Sequence, residues 1–339
     1  MREKKLSHLI FAFFSRILTG EEKENTVVAM PLPQNLHCGP CGWSYPHWNG
    51  IVYPKLKRRN FHALAELATY FDAVEINTTF YQNVRPEITR LWLRKVSRNP
   101  KFLFTAKLGR QFTHERLLAL PEIEAHKEGL WPLLAAKKLG CVLMQFPWTF
   151  RYTQENRDFL IALRRAFHEF PLVAEMRHGS WTHEEALGTL IDYHIGFANI
   201  DQAPYTKAMP PASFLTSSIG YVRLHGRNPQ DWQREFQRAA KPAAAHDYLY
   251  SPEELHEWKP RIEQIQQHSA TSFVFANNDV GGKSVVNALQ LAQMLGDDRG
   301  LASADLIATF PNELAGFHSD RPMQEALFSS YEPDQRAVA

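Results

Sequence analysis

Val74-Glu75-Ile76-Asn77, Phe104-Thr105-Ala106-Lys107 and Val222-Arg223-Leu224-His225 are short apolar segments that each end on polar or charged side chains. On a β-strand alternate residues share a face, so Glu75 with Asn77, and Arg223 with His225, point the same way. Outward from these three, the pattern recurs at Leu36 to Gly42, Leu143-Met144-Gln145-Phe146, Val173-Ala174-Glu175-Met176-Arg177, Phe197 to Asp201 and Phe273 to Asp279. Most of the intervals carry apolar residues at helical spacing. A βα alternation repeated this often closes into a TIM-type (β/α)8 barrel, an α/β fold of one domain with an N-terminal extension and a C-terminal tail. In such a barrel the carboxyl ends of the strands and the loops after them form the site, so the terminal residues are a site inventory.

Composition fits this. Apolar residues make up 44% and charged residues 22% of 339 positions, ordinary for a globular chain that buries a large core. A formal net charge of +2 gives no case by itself for nucleic acid or an anionic membrane, so local patches must carry any such partner. Cys38-Gly39-Pro40-Cys41 has the C-x-x-C spacing of redox motifs, but no helix follows at once to stabilise a thiolate; two small residues at a packed strand end is the plainer account. The three cysteines fit a reducing, cytoplasmic setting.

Residues 1–33 are set aside as an extension. The apolar run Leu9 to Phe14 follows Lys4 and Lys5 as in a signal peptide, but Arg16 interrupts it, and it falls far short of the ~20 residues that span a membrane. The barrel is expected over 34–296, and 297–339 as a tail partly packed on it, with Phe310 to Leu314 covering the outer surface.

After the first strand, Trp43-Ser44-Tyr45-Pro46-His47-Trp48 is too aromatic for a solvated loop; it either plugs the strand ends or stacks on a ligand ring. Lys55, Lys57, Arg58 and Arg59 follow as a solvated charge run or a phosphate contact. Phe61 to Phe71 predicts a helix with Asn60 as N-cap, Pro121 to Leu139 another, and Asn156 to Phe170 a third. Thr182 with Glu185 has capping-box spacing. Asn228 to Ser251, with Trp232, Arg234, Arg238, Lys241 and His246, lacks apolar periodicity and is long enough to be a lid or a disordered loop. Gly281-Gly282-Lys283 opens the closing helix, either for close packing or as a small phosphate cradle.

Five motifs in order, Gly42-Trp43-Ser44-Tyr45-Pro46-His47-Trp48, Phe71 to Tyr81, Glu175-Met176-Arg177-His178-Gly179-Ser180-Trp181, Val222 to Arg227 and Phe275-Ala276-Asn277-Asn278, together resemble the domain of unknown function 72 family, also called YecE-like. The resemblance spans roughly residues 36 to 295 and implies a TIM-type barrel; it assigns no reaction or cofactor. Gly39-Pro40-Cys41-Gly42 departs from the Gly-Thr-Ser-Gly strand end of the family, which puts any role of that hydroxyl in doubt.

Two functions follow from the residues. The first is an enzyme, a hydrolase, lyase or isomerase, acting on a sugar-like or phosphorylated substrate at the mouth. Glu75, Glu175 and His225 are its acid–base candidates; Trp43, Tyr45, Trp48, Asn77, Tyr81, Lys107, Gln145, Arg177, Trp181, Asp201, Arg223, Asn277 and Asn278 are its substrate-binding candidates. Converging carboxylates and a histidine are compatible with a divalent metal, although no H-x-H or H-E-x-x-H spacing occurs. The second is nucleic-acid or nucleotide binding with repair-endonuclease-like chemistry, carried by basic residues at 55–59, 110–116 and 227–241 around the aromatic mouth. A plainer account of the charged strand ends is an internal ion-pair network, Glu75 with Lys107 and Glu175 with Arg177 or Arg223.

Overall fold

The computed structural model describes residues 34–57, 59–228 and 246–319. Its eight strands are β1 (Leu36–Pro40), β2 (Ala73–Ile76), β3 (Leu103–Lys107), β4 (Leu139–Gln145), β5 (Leu172–Glu175), β6 (Gly196–Asp201), β7 (Ile219–Leu224) and β8 (Thr271–Ala276). All pair in parallel in the order β1-β8-β7-β6-β5-β4-β3-β2. The two ends meet at a parallel bridge between Cys41 and Glu75, where the Gly42 N–H donates to the Glu75 carbonyl at 2.8 Å. Gly39 permits this approach: a β-carbon there would stand 2.0 Å from the Ala73 carbonyl oxygen of β2. The fold is therefore the (β/α)8 barrel expected from the strand repeats.

Helices α1 (Ala63–Tyr70), α2 (Pro86–Lys95), α3 (Arg110–Thr113), α4 (Leu120–Ala135), α5 (Gln154–Ala166), α6 (Glu184–Asp192), α7 (Pro252–His268) and α8 (Lys283–Met294) lie between or after the strands, followed by α9 (Ala304–Thr309). Residues 202–218, between β6 and β7, contain no helix. Three local expectations are corrected. α1 starts at Ala63 with His62, not Asn60, at its N-cap and no side-chain cap bond. Thr182 does not cap α6: its hydroxyl donates to the Gly179 carbonyl at 2.8 Å in a 3-10 turn, and His183 takes the cap position. α4 ends at Ala135, because the chain must reverse through Lys137 at φ +54° to enter β4. The capping box the sequence does hold is Ser251 with Glu254 at the head of α7.

The barrel interior below the mouth is aromatic. Phe273 stacks on Phe275 at 6.0 Å and 5°, His37 stacks on Phe273 at 5.5 Å, and Tyr221 leans on both phenylalanines. Phe273 reaches across to Gly140 of β4, where a β-carbon would collide with its ring at 2.2 Å. Side chains thus fill the barrel as a core, leaving the polar groups on top of them. Of the segment after residue 296, Leu306 and Leu314 are buried in the apolar core, and Arg299 bridges Asp72 and Asp297. The lid expected within Asn228 to Ser251, including Trp232, Arg234, Arg238 and Lys241, falls largely on 229–245, outside the described residues, as do 1–33, Arg58 and 320–339.

Candidate functional site

Alternation along β7 places Tyr221, Arg223 and His225 on one face, one above the next, and all three are fully buried. Arg223 is the hub. Its Nη2 donates to Glu75 Oε1 at 2.7 Å and to Asn277 Oδ1 at 3.2 Å; its Nη1 pairs with Glu175 and reaches Gln145 Oε1 at 3.4 Å. One guanidinium thereby ties β2, β4, β5 and β8 together. Below it the Tyr221 hydroxyl donates to Glu75 Oε2 at 2.7 Å and lies 3.0 Å from the Thr105 hydroxyl. Glu175 also meets Arg177 Nε at 2.6 Å and His225 Nε2 at 3.3 Å.

Asn277 orients His225. Because its Oδ1 accepts from Arg223, its Nδ2 is left to donate, and it lies 2.9 Å from His225 Nδ1. The acceptor nitrogen of the ring is then Nδ1, which directs the Nε2–H at Glu175. Both ring nitrogens face protein groups, so His225 sits beneath the mouth and not in it. Burial, followed by the Arg177 charge, pushes its imidazole well below the usual histidine range, and Glu175 only partly opposes this. Burial alone would raise the Glu175 carboxyl; Arg177, Arg223 and His225 outweigh it and hold it well below the usual carboxylate range.

Four groups sit above this layer: Lys107, Gln145, Arg177 and Asn277. The side chains of Lys107 and Arg177 keep 11% and 9% of their surface, while Glu75, Glu175, Arg223 and His225 keep none. Lys107 Nζ stands 3.7 Å from Glu75 Oε1 and 5.7 Å from the centre of the Phe80 ring. Burial, then the Arg223 charge, lowers its ammonium from the ordinary lysine value, with Glu75 opposing. Arg177 Nη1 donates to Gln202 Oε1 at 3.1 Å. Tyr45 and Asn77 stand at the rim, the Asn77 amide donating to the Tyr45 hydroxyl at 3.1 Å and that hydroxyl to the Cys41 carbonyl at 2.8 Å. Tyr81 is largely exposed beside Phe80.

The remaining predicted residues lie elsewhere. Trp43 packs edge-on against Trp92 of α2, and Trp48 is fully buried with its indole N–H on the Asp279 carbonyl at 2.8 Å. Trp181 stacks flat on Phe150 at 5.4 Å and donates to its carbonyl. Asp201 is not brought to Arg223: it accepts from Arg227 and, at 2.6 Å, from the Trp258 indole of α7. Asn278 donates to the Tyr248 carbonyl and to Asn287. Sequence reasoning passed over Tyr221, Thr105, Gln202 and Phe80, although Tyr221 shares its parity with Arg223 and His225. Cys38 and Cys41 are free and buried in different apolar clusters, and burial raises both thiols.

A divalent metal does not fit this arrangement. Among the described residues no three His, Cys, Asp or Glu side chains are grouped to hold one. The carboxylate oxygens it would use already face guanidinium, tyrosyl and imidazole donors. Of the basic stretches, Arg110 pairs with Glu115, Arg116 with Glu155, and Arg227 with Asp201, Glu254 and Glu257, while 229–241 lies outside the described residues.

The family described as protein of unknown function DUF72 matches residues 37–311, most of the chain. The chain belongs to this family. The DUF72 match runs beyond residue 295 and takes in α9. The UPF0759 protein YunF of Bacillus subtilis (strain 168) is 25% identical over 272 residues, covering 77% of this chain and 94% of that protein. The crystal structure of a DUF72 family protein from Thermotoga maritima MSB8 is similar with a TM-score of 0.66 at 29% identity, over 77% of this chain and 98% of its own. A DUF72 family protein from Enterococcus faecalis V583 has the same fold, with a TM-score of 0.66 at 24% identity, over 77% of this chain and 95% of its own. Among the described residues, no helix is long and apolar enough to cross a membrane.

Proposed function

We propose that this DUF72 protein is an enzyme acting on a small oxygen-rich anion, a sugar-like or phosphorylated compound, at the C-terminal mouth of the barrel. One observation carries this. The carboxylates of the site are sealed off, while Lys107 and Arg177, the charged groups that retain surface, are donors. Gln145, whose Oε1 faces Arg223, has its amide nitrogen left for a ligand. A mouth that offers donors and withholds acceptors selects a ligand of many acceptor oxygens. Arg177 takes the anionic group, and Lys107 and Gln145 meet the neighbouring oxygens. Glu75, Glu175 and His225, the acid–base candidates of the sequence, act one layer down by holding Arg177, Arg223 and Lys107 in place.

Nucleic acid is less well supported, because three of the basic residues that would carry it, Arg110, Arg116 and Arg227, are paired with carboxylates. The test is calorimetric titration with a panel of sugar phosphates, repeated on Arg177→Met and Glu175→Gln, and with a single-stranded oligonucleotide over a range of salt. Saturable binding of a sugar phosphate that falls at least tenfold in Arg177→Met, with the variant still folded, supports the proposal. Oligonucleotide binding that drops steeply with salt, and none to sugar phosphates, overturns it.

A further inference from the structure

Lys107 has a feature that anion binding does not require. A buried ammonium ordinarily spends its donors on hydrogen bonds, because stripping it of water is costly. Lys107 spends none among the described residues: Glu75 Oε1, paired with it at 3.7 Å, is beyond hydrogen-bond length, and the centre of the Phe80 ring lies 5.7 Å away. Glu75 cannot swing closer, since Arg223 and the Tyr221 hydroxyl hold its two oxygens at 2.7 Å each. The amine is thus anchored at the end of β3, still reached by solvent, and short of partners.

We infer that Lys107 is a nucleophile that forms an imine with an aldehyde or ketone carrying a phosphate or carboxylate, the anionic end resting on Arg177. This rests on the proposed function and narrows it to carbonyl compounds. The free amine adds to the carbonyl carbon; a nitrogen–carbon bond forms as the π pair moves onto oxygen. The surplus proton on nitrogen passes to that oxygen by way of solvent, which reaches the Lys107 amine. A further proton from solvent makes the oxygen leave as water, giving the protonated imine, so that amine, carbonyl and one proton become iminium and water. Desolvation beside a second cation is a recognised way to keep a lysine amine in its nucleophilic form, and Lys107 has both burial and Arg223.

The test uses dihydroxyacetone phosphate as the carbonyl probe with sodium cyanoborohydride, which reduces the iminium to a stable secondary amine, followed by intact mass and peptide mapping. In parallel, glycerol 3-phosphate, which has the phosphate and no carbonyl, is assayed by the shift in melting temperature. The expected result is one adduct per chain, on Lys107, absent in Lys107→Met, suppressed by glycerol 3-phosphate, and formed at lower pH than labelling of the exposed Lys55. If Lys107 is labelled no faster than Lys55 while glycerol 3-phosphate still raises the melting temperature, the imine is overturned and the anion site stands. Labelling of Lys107 without any effect of glycerol 3-phosphate keeps the imine and removes the anion site. Neither signal overturns both.

Discussion

Arg223 of β7 and Glu75 of β2 meet inside the barrel at 2.7 Å, both with no exposed side-chain surface. The strands that carry them are not neighbours in the sheet, so the pair is a strut across the mouth. The same guanidinium also neutralises Glu175. Removing it leaves two carboxylates with less compensation in a site that water does not reach.

Arg223→Met is therefore expected to cost about 3–5 kcal/mol of folding free energy, the usual penalty for an orphaned buried charge. Adding Glu75→Gln and Glu175→Gln removes the uncompensated charges and should restore part of that loss. Urea denaturation of the single and triple variants measures it. A loss below about 1 kcal/mol in the single variant would mean that the carboxylates are effectively solvated.

Acid should destabilise this protein before its carboxylates titrate. His126 is buried beside Phe112 and Phe167, is hydrogen-bonded to Asn83, and is pushed down to about 4 by burial. Its unfolded value is about 6.5, so between the two the unfolded chain binds the extra proton and stability is lost as pH falls. His225, held well below the usual range, adds to the same window. His126→Leu should flatten the slope of stability between about pH 6.5 and 4 by roughly 2–3 kcal/mol. An unchanged slope would place the loss in other groups.

The cysteines should be inert in the folded state. Burial raises all three thiols, most clearly at Cys41 and Cys141, and the three are free. Iodoacetamide at mildly alkaline pH is expected to leave the native protein unlabelled and to modify all three after denaturation, read by intact mass. Rapid labelling of Cys38 or Cys41 in the native protein would revive the redox reading of the C-x-x-C motif.

The strand ends were legible because parity is a strict rule: Glu75 with Asn77, and Arg223 with His225, could be placed on one face from their spacing alone. The ion-pair network at the strand ends, read as the plainer account, exists as Glu75 with Lys107 and Arg223, and Glu175 with Arg177 and Arg223. The aromatic loops were not legible. Trp48 and Trp181 stand in segments after strands where a ligand platform and a plug have the same composition; which one forms depends on distant partners, the Asp279 carbonyl and the Phe150 ring. Cys38 and Cys41, three residues apart, needed only parity to be separated, since odd spacing along an extended strand sends side chains to opposite faces.

Asp201 tests the division between scaffold and mouth. Its carboxylate holds the Trp258 indole at 2.6 Å and the Arg227 guanidinium at 2.8–3.0 Å, which pins α7 against β6 and β7. None of these groups touches Lys107, Arg177 or Arg223 in the described contacts. Asp201→Asn keeps the shape and loses the charge beside a half-buried guanidinium, at an expected cost of about 1–3 kcal/mol. Binding of a sugar phosphate at the mouth should change less than twofold in the same variant, because the donors that meet it stand on β3, β4 and β5. A variant with unchanged stability and lost binding would move Asp201 into the site and require the ligand to extend over the β6 and β7 side of the barrel.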